Sequence, residues 1–362
     1  SSTESVPKRS LSLDSRSRRT VGRDVSLDNV DRRSSSKKDN FLLLSQEKMT
    51  EHKAAVTQCR FNALGSLVAS CDIDGVVKVW STAPTPKVLS TMQYNEGLIS
   101  LGWVAKNERF FVTGSKNGFL RLHDTKENKT VWDIGSEESP HLGDMQIVSV
   151  CCSPTENSVA CSAVNTNYNV GKLLIFDIKS RKLERYLTFT MEPGLIANCC
   201  LYNHNGTLLM AGCSDGQIRA LDLRHSECLN NWEIHDGSPI TAMQITSDHN
   251  TCFTMGTDHK LTRHSLMQTS GECWSATLPK CHSTHGTQGF SLHQTDKHVL
   301  TACGHTGANI FQVTNGGLQL MLHLGGHRSP LTACDWTTAN QCTTCLSASS
   351  DGKIKISTIL TP

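Results

Sequence analysis

Histidine, serine and aspartate recur together along this chain, the residue types that general-base and nucleophilic chemistry employs. His52 is followed by Ser70, Asp74 and Trp80, His235 by Asp258, and His327 by Asp351. Two considerations count against catalysis. The sets sit at corresponding positions of a repeat, as the spacing below shows. Each set also has a structural use, because a buried aspartate must be paired, and a histidine N–H with an indole or hydroxyl donor can pair it. No Gly-rich phosphate loop of P-loop or dinucleotide-binding type occurs. The chain is therefore expected to have no catalytic residue, no cofactor and no metal site.

Sixteen cysteines offer a second chemistry. Many lie where a strand wants a small apolar side chain, among them Cys59, Cys161, Cys213, Cys303 and Cys334. Unbridged cysteine is among the most buried residue types. The adjacent pairs Cys151-Cys152 and Cys199-Cys200 point to opposite faces of a strand. Cys342-Thr343-Thr344-Cys345 is the lone C-x-x-C, and zinc needs four ligands. All sixteen are expected to be unbridged thiols in a reducing compartment.

The elements that would position these residues follow from composition and period. Apolar residues make up 37% and charged residues 19% of the 362, with a net charge of +2, so no whole-chain field favours nucleic acid. Aromatics are 6%, too few for a base-stacking platform. No apolar stretch approaches the roughly 18 residues of a membrane helix, and the first 40 residues lack a signal-peptide core. The chain opens at Ser1 without a methionine, so a fragment of a longer protein is expected. Residues 1–40 hold eleven serines, ten Lys/Arg, six Asp/Glu and no aromatic residue, the composition of a disordered basic linker. Arg18-Arg19-Thr20 and Arg32-Arg33-Ser34-Ser35 within it have the pattern of basic-directed kinase sites.

Residues 41–362 repeat. A tight-turn signature followed by alternating apolar residues reads Asp74-Gly75-Val76-Val77-Lys78-Val79-Trp80 in its fullest copy. Counterparts carry their second turn residue at Gly118, Gly171, Gly216, His259, Gly307 and Gly352, at spacings of 43, 53, 45, 43, 48 and 45. Short alternating strands at a mid-forties period, with no helical period between them, predict an all-β, seven-bladed propeller. Leu42–Gln46 precedes the first unit and is expected to supply the outer strand of the blade containing Lys353–Ser357, closing the ring.

These repeats resemble the WD-repeat family, whose polar tetrad joins a histidine, a serine or threonine, the turn aspartate and a tryptophan. Blade one matches with His52, Ser70, Asp74 and Trp80. Blade five keeps His235 and Asp258 with His264 at the tryptophan position, and blade seven keeps His327 and Asp351 with Ser357 there. The resemblance assigns these residues to structure and the chain to protein binding. Partner-binding loops in the family lie between blades and at the turns after the second strand, which selects Lys53, Glu96, Gln146, Ser238 and Arg328. The phosphoinositide-binding Phe-Arg-Arg-Gly run of some members is absent.

The last blade, from Leu324-Gly325-Gly326-His327-Arg328 to Asp351-Gly352-Lys353-Ile354-Lys355, is most similar to an endosomal branch of the family. Val68-Ala69-Ser70 and Asn203-His204-Asn205-Gly206 agree with that branch. The similarity implies a non-enzymatic adaptor, peripheral on early and late endosome membranes. Its implied partners are a second WD-repeat protein, the Beclin subunit of class III phosphatidylinositol 3-kinase, which it would restrain, and a late-endosomal Rab GTPase. An alternative rests on Ile218-Arg219-Ala220-Leu221-Asp222-Leu223-Arg224, which is similar to the box that docks substrate receptors onto cullin-based ubiquitin ligases.

Overall fold

The structure, a computed structural model, describes residues 41–187, 194–267, 274–280, 289–340 and 342–361. The expected linker 1–40 lies outside them. The described strands form seven four-stranded antiparallel sheets. Six of these are built from consecutive strands. The seventh takes its outer strand, Leu42–Met49, from the start of the described chain. That strand pairs antiparallel with Ile354–Leu360, Leu42 opposite Leu360 and Gln46 opposite Ser357. The chain is an all-β, seven-bladed propeller, with one 3-10 turn at Pro140–Leu142 among the described residues.

Each sheet grades from wet to dry along its width. The second strand of blade one, Val68–Asp72, is buried throughout, whereas its outer strand, Lys87–Gln93, alternates exposed and half-buried residues. Near the axis neighbouring blades cover both faces of a sheet; at the rim one face meets water, and the period-2 pattern returns. Bulges recur within the first residues of the innermost strand, as between Val56 and Gln58, Leu98 and Ser100, and Ile147 and Ser149. A bulge raises local twist, which a short blade needs in order to turn across its width.

Apolar clusters lie between blades. Ala69, Val77 and Val79 of blade one pack with Leu98, Leu101 and Phe111 of blade two. Across the closing seam, Val56, Phe61, Val68 and Trp80 meet Ala333, Leu346, Ile354 and Ile356 of blade seven. Burial at these seams therefore stabilises the ring as a whole, and no blade completes its own core.

The turns after the second strand agree with the expected signature in five blades. Gly75, Gly118, Gly216, His259 and Gly352 all have φ between 60° and 89°. In blades three and six the phase differs: Asn169 and Gly304 take the positive φ, while Gly171 and Gly307 lie in the following strands. At Gly75 the space is closed as well, since a Cβ would collide with Tyr94 O and come within 2.6 Å of Glu96 O. The turn thus rests on the segment entering the next blade, which puts these turns and the entry loops on one face of the ring.

Candidate functional site

In blade one, His52 Nδ1 lies 2.7 Å from Asp72 Oδ2 and its Nε2 lies 2.8 Å from Ser70 Oγ, while Trp80 Nε1 donates to Ser70 Oγ at 3.2 Å. A carboxylate only accepts, so the ring proton sits on Nδ1 and Nε2 accepts from the serine. One directed chain results, from indole to hydroxyl to imidazole to carboxylate. The acid is Asp72, which corrects the expectation of Asp74. Asp72 shares the strand face of Ser70 two residues before it, and its Oδ1 also accepts the N–H groups of Asp74 and Val76. Asp74 is exposed on the turn.

Blade five solves the same problem differently. His235 Nε2 reaches Thr254 Oγ1 at 2.8 Å, and Nδ1 reaches Asp258 Oδ2 at 3.0 Å. Here Gly256 stands where blade one has Asp72, and a Cβ on it would come within 2.8 Å of both Asp258 Oδ1 and His235 Nδ1. The turn aspartate can enter because that strand position is empty. In blade seven His327 Nε2 reaches Ser347 Oγ at 2.8 Å, but Asp351 bonds Ser349 Oγ and Lys353 Nζ instead. The expected His327–Asp351 pairing is therefore corrected: the adjacent lysine competes for the carboxylate. Ser357, at the tryptophan position, accepts from Gln46 of the closing strand at 3.1 Å.

Blade two places His123 at the tryptophan position. Its Nε2 lies 2.8 Å from Thr113 Oγ1, and the ring stacks on Phe111 at 4.6 Å between centroids. Burial, aided by the Arg121 cation, pushes its pKa down to about 3. Burial, aided by Lys355, pushes His327 down to about 4. Both rings are neutral when folded and would take up protons near pH 6.5 once unfolded. Stability is then fully present above pH 6.5 and falls as pH drops toward 4 and 3, by about 1.4 kcal/mol per pH unit for each ring. Urea unfolding of wild type at pH 7 and pH 4.5 should show the loss, and His123→Gln should flatten the slope; equal slopes would remove His123 from this role.

The loop residues selected from the sequence divide. Lys53 and Arg328 are exposed, and Gln146 and Ser238 are half-buried, all on the face of the entry loops. Glu96 is not available to a partner. Its side chain is only 9% exposed and forms an ion pair with Arg121, itself held between the rings of Tyr94 and Phe119. The turn glycine packing on Glu96 O buries that segment.

A polar ring around the axis was not anticipated. Thr57 Oγ1 donates to Leu98 O, Ser100 Oγ to Ile147 O, Asn198 Nδ2 to Ile240 O, and Ser291 Oγ to Asp335 Oδ1. Ser149 accepts from Cys200 N, Gln244 from Leu292 N, and Asp335 from Phe61 N. These bonds cross all seven blade boundaries. Their signal in the sequence is one polar residue per innermost strand at a position that apolar alternation would fill.

Gly212-Cys213-Ser214-Asp215-Gly216 has the spacing of a hydrolase nucleophile elbow, but it is a strand-to-strand turn, and Ser214 Oγ accepts from Ile196 N at 3.1 Å. Among the described residues no group of three or more His, Cys, Asp or Glu converges as metal ligands would. Thirteen described cysteines are thiols, most of them buried. Cys303 is disulfide-bonded, which corrects the expectation of sixteen thiols; Cys273 and Cys281 lie outside the described residues. Small size and a buried strand end, read as packing, did not exclude a bond.

Comparison with known proteins accords with this geometry. The WD domain, G-beta repeat family matches residues 44–81 and 318–356, and the anaphase-promoting complex subunit 4 WD40 domain matches residues 171–248. WD repeat-containing protein 91 of Gallus gallus is 35% identical over 356 residues, covering 88% of this chain and 46% of that protein. The protein of that name from Danio rerio is 35% identical over 350 residues, covering 88% of this chain and 47% of its own length. The Dictyostelium discoideum homolog is 26% identical over 314 residues, covering 86% and 39%. This chain spans about half the length of these relatives. The β-propeller domain of Myceliophteria thermophila Cps50 (Swd1) matches with a TM-score of 0.69 at 16% identity, covering 88% of this chain and 99% of that one, a likeness of fold. With its seven blades, its closing strand and its histidine–serine–aspartate–tryptophan chain, this sequence belongs to the WD-repeat β-propellers.

Proposed function

We propose that this propeller is the protein-docking platform of a non-enzymatic endosomal adaptor. The observation that carries the reading is the 35% identity to WD repeat-containing protein 91 across 88% of the chain. The geometry is consistent with it: the histidines and aspartates that could do chemistry are bonded into blades, and exposed side chains such as Lys53 and Arg328 crown the entry-loop face. On this reading the adaptor restrains class III phosphatidylinositol 3-kinase through its Beclin subunit, joins a second WD-repeat protein, and engages a late-endosomal Rab GTPase during early-to-late endosome conversion.

Proximity labelling in cells tests the proposal. Enrichment of the kinase subunits and a late-endosomal Rab is the expected result. Enrichment of a cullin adaptor in their place would overturn it and favour the ligase reading. In that reading Arg224, exposed and bonded to Asp222, would be the docking residue. For the face itself, Lys53→Ala and Arg328→Ala should change stability by less than about 0.5 kcal/mol yet weaken capture of the labelled partners. Capture unchanged in both variants would move the interface elsewhere.

A further inference from the structure

The mouth opposite the entry-loop face leads into a cavity of about 500 Å³ on the propeller axis. Its walls are innermost strands, and its rim is formed by turns between first and second strands, where the rings of His204 and His249 stack at 4.1 Å. Arg60 is the one lysine or arginine among the lining residues. Among the described residues its guanidinium has no ion pair; Nε makes a long 3.5 Å bond to Gln58 Oε1. The nearby Asp335 carboxylate is already engaged by Phe61 N at 2.9 Å and Ser291 Oγ at 3.0 Å, in the bonds that tie blades six, seven and one. Burial holds the Arg60 pKa below its usual range, partly offset by Asp335. Arg60 is half-buried at the cavity wall. A guanidinium partly withdrawn from water gains from a counter-charge, and the nearby carboxylate is already committed to Phe61 N and Ser291 Oγ.

We propose that this axial cavity is a carboxylate-binding site in which Arg60 holds the ligand's anionic group, independent of the docking face. A volume of this size fits a small organic acid or a short peptide segment. The guanidinium fork matches the two oxygens of a carboxylate. With one guanidinium present, and with Asp335 and the rim carboxylate Asp296 both opposing added negative charge, a singly charged anion is favoured over a phosphate dianion. Leu201, Ile245 and Leu292, half-buried in the wall, give the ligand's body an apolar surface.

Calorimetric titration of the full chain with benzoate, benzamide, inorganic phosphate and the capped peptide acetyl-Ala-Glu-Ala-amide tests this. Benzoate should bind saturably, benzamide and phosphate should not, and Arg60→Gln should weaken benzoate by at least about tenfold, with Arg60→Lys between. Peptide competition with benzoate would identify an acidic side chain as the source, and benzoate binding alone a free acid; each supports the site. Absence of saturable carboxylate binding, binding unchanged in Arg60→Gln, or phosphate bound as tightly as benzoate would overturn it. Should Arg60→Gln fail to fold, protection of Arg60 from phenylglyoxal labelling by benzoate in wild type is the deciding measurement, and no protection overturns the proposal.

Discussion

Trp80→Ala should destabilise the propeller by about 3–5 kcal/mol, the cost of emptying a large side chain from a packed core. Trp80 is 2% exposed and belongs to the cluster that joins blade one to blade seven. Its loss would remove apolar contact from the seam where the two ends of the chain meet. It would also take the indole donor from Ser70 Oγ. Trp80→Phe keeps most of the volume and should cost less, leaving the hydrogen bond as the main loss. Urea melts of both variants beside Arg328→Ala provide the comparison. A Trp80→Ala midpoint within error of Arg328→Ala would mean that the closing seam does not limit stability.

Asp72→Ala should cost about 2–3 kcal/mol, because it leaves the buried His52 Nδ1–H without an acceptor and uncaps the N–H groups of Asp74 and Val76. Asp74→Ala, two residues on and exposed, should stay within about 0.5 kcal/mol. The reverse order of the two melts would return the tetrad to Asp74. Burial pushes the Asp72 carboxyl up, but hydrogen bonds from His52 and from the Val76 and Asp74 N–H groups outweigh it and hold it below the ordinary carboxylate range. Its contribution is therefore complete above about pH 4, the unfolded value, and is lost as pH falls through the lower folded value. Since Asp72 and Trp80 terminate one hydrogen-bonded chain, their effects should not add.

Much of the fold was legible because a propeller repeats. Each Asp/Asn-Gly turn imposes a positive φ locally, and the mid-forties period between turns leaves room for four short strands and no helix. The closing strand could be inferred because a ring with one unpaired edge is a liability, and Leu42–Gln46 was the one strand-like segment before the first unit. In blades three and six the turn residue was misplaced. A glycine there is required by close packing, as at Gly307, where a Cβ would meet Leu324 O, and not by its own φ.

Local chemistry thus determined the blade count, the ring closure and the entry of His52, His235 and His327 into their blades, though not that of His123, since period, turn type and a buried imidazole's need for partners are properties of short segments. Which carboxylate each histidine meets was decided only in three dimensions. Asp72 displaces Asp74 because its strand face points at His52, Gly256 opens the way for Asp258, and Lys353 draws Asp351 away from His327. The burial of Glu96, the bond at Cys303, the ring of polar ties across the blades and the axial cavity around Arg60 likewise arise between segments far apart in sequence. Spacing cannot report them, because desolvation and competition for hydrogen bonds depend on what the other blades bring near.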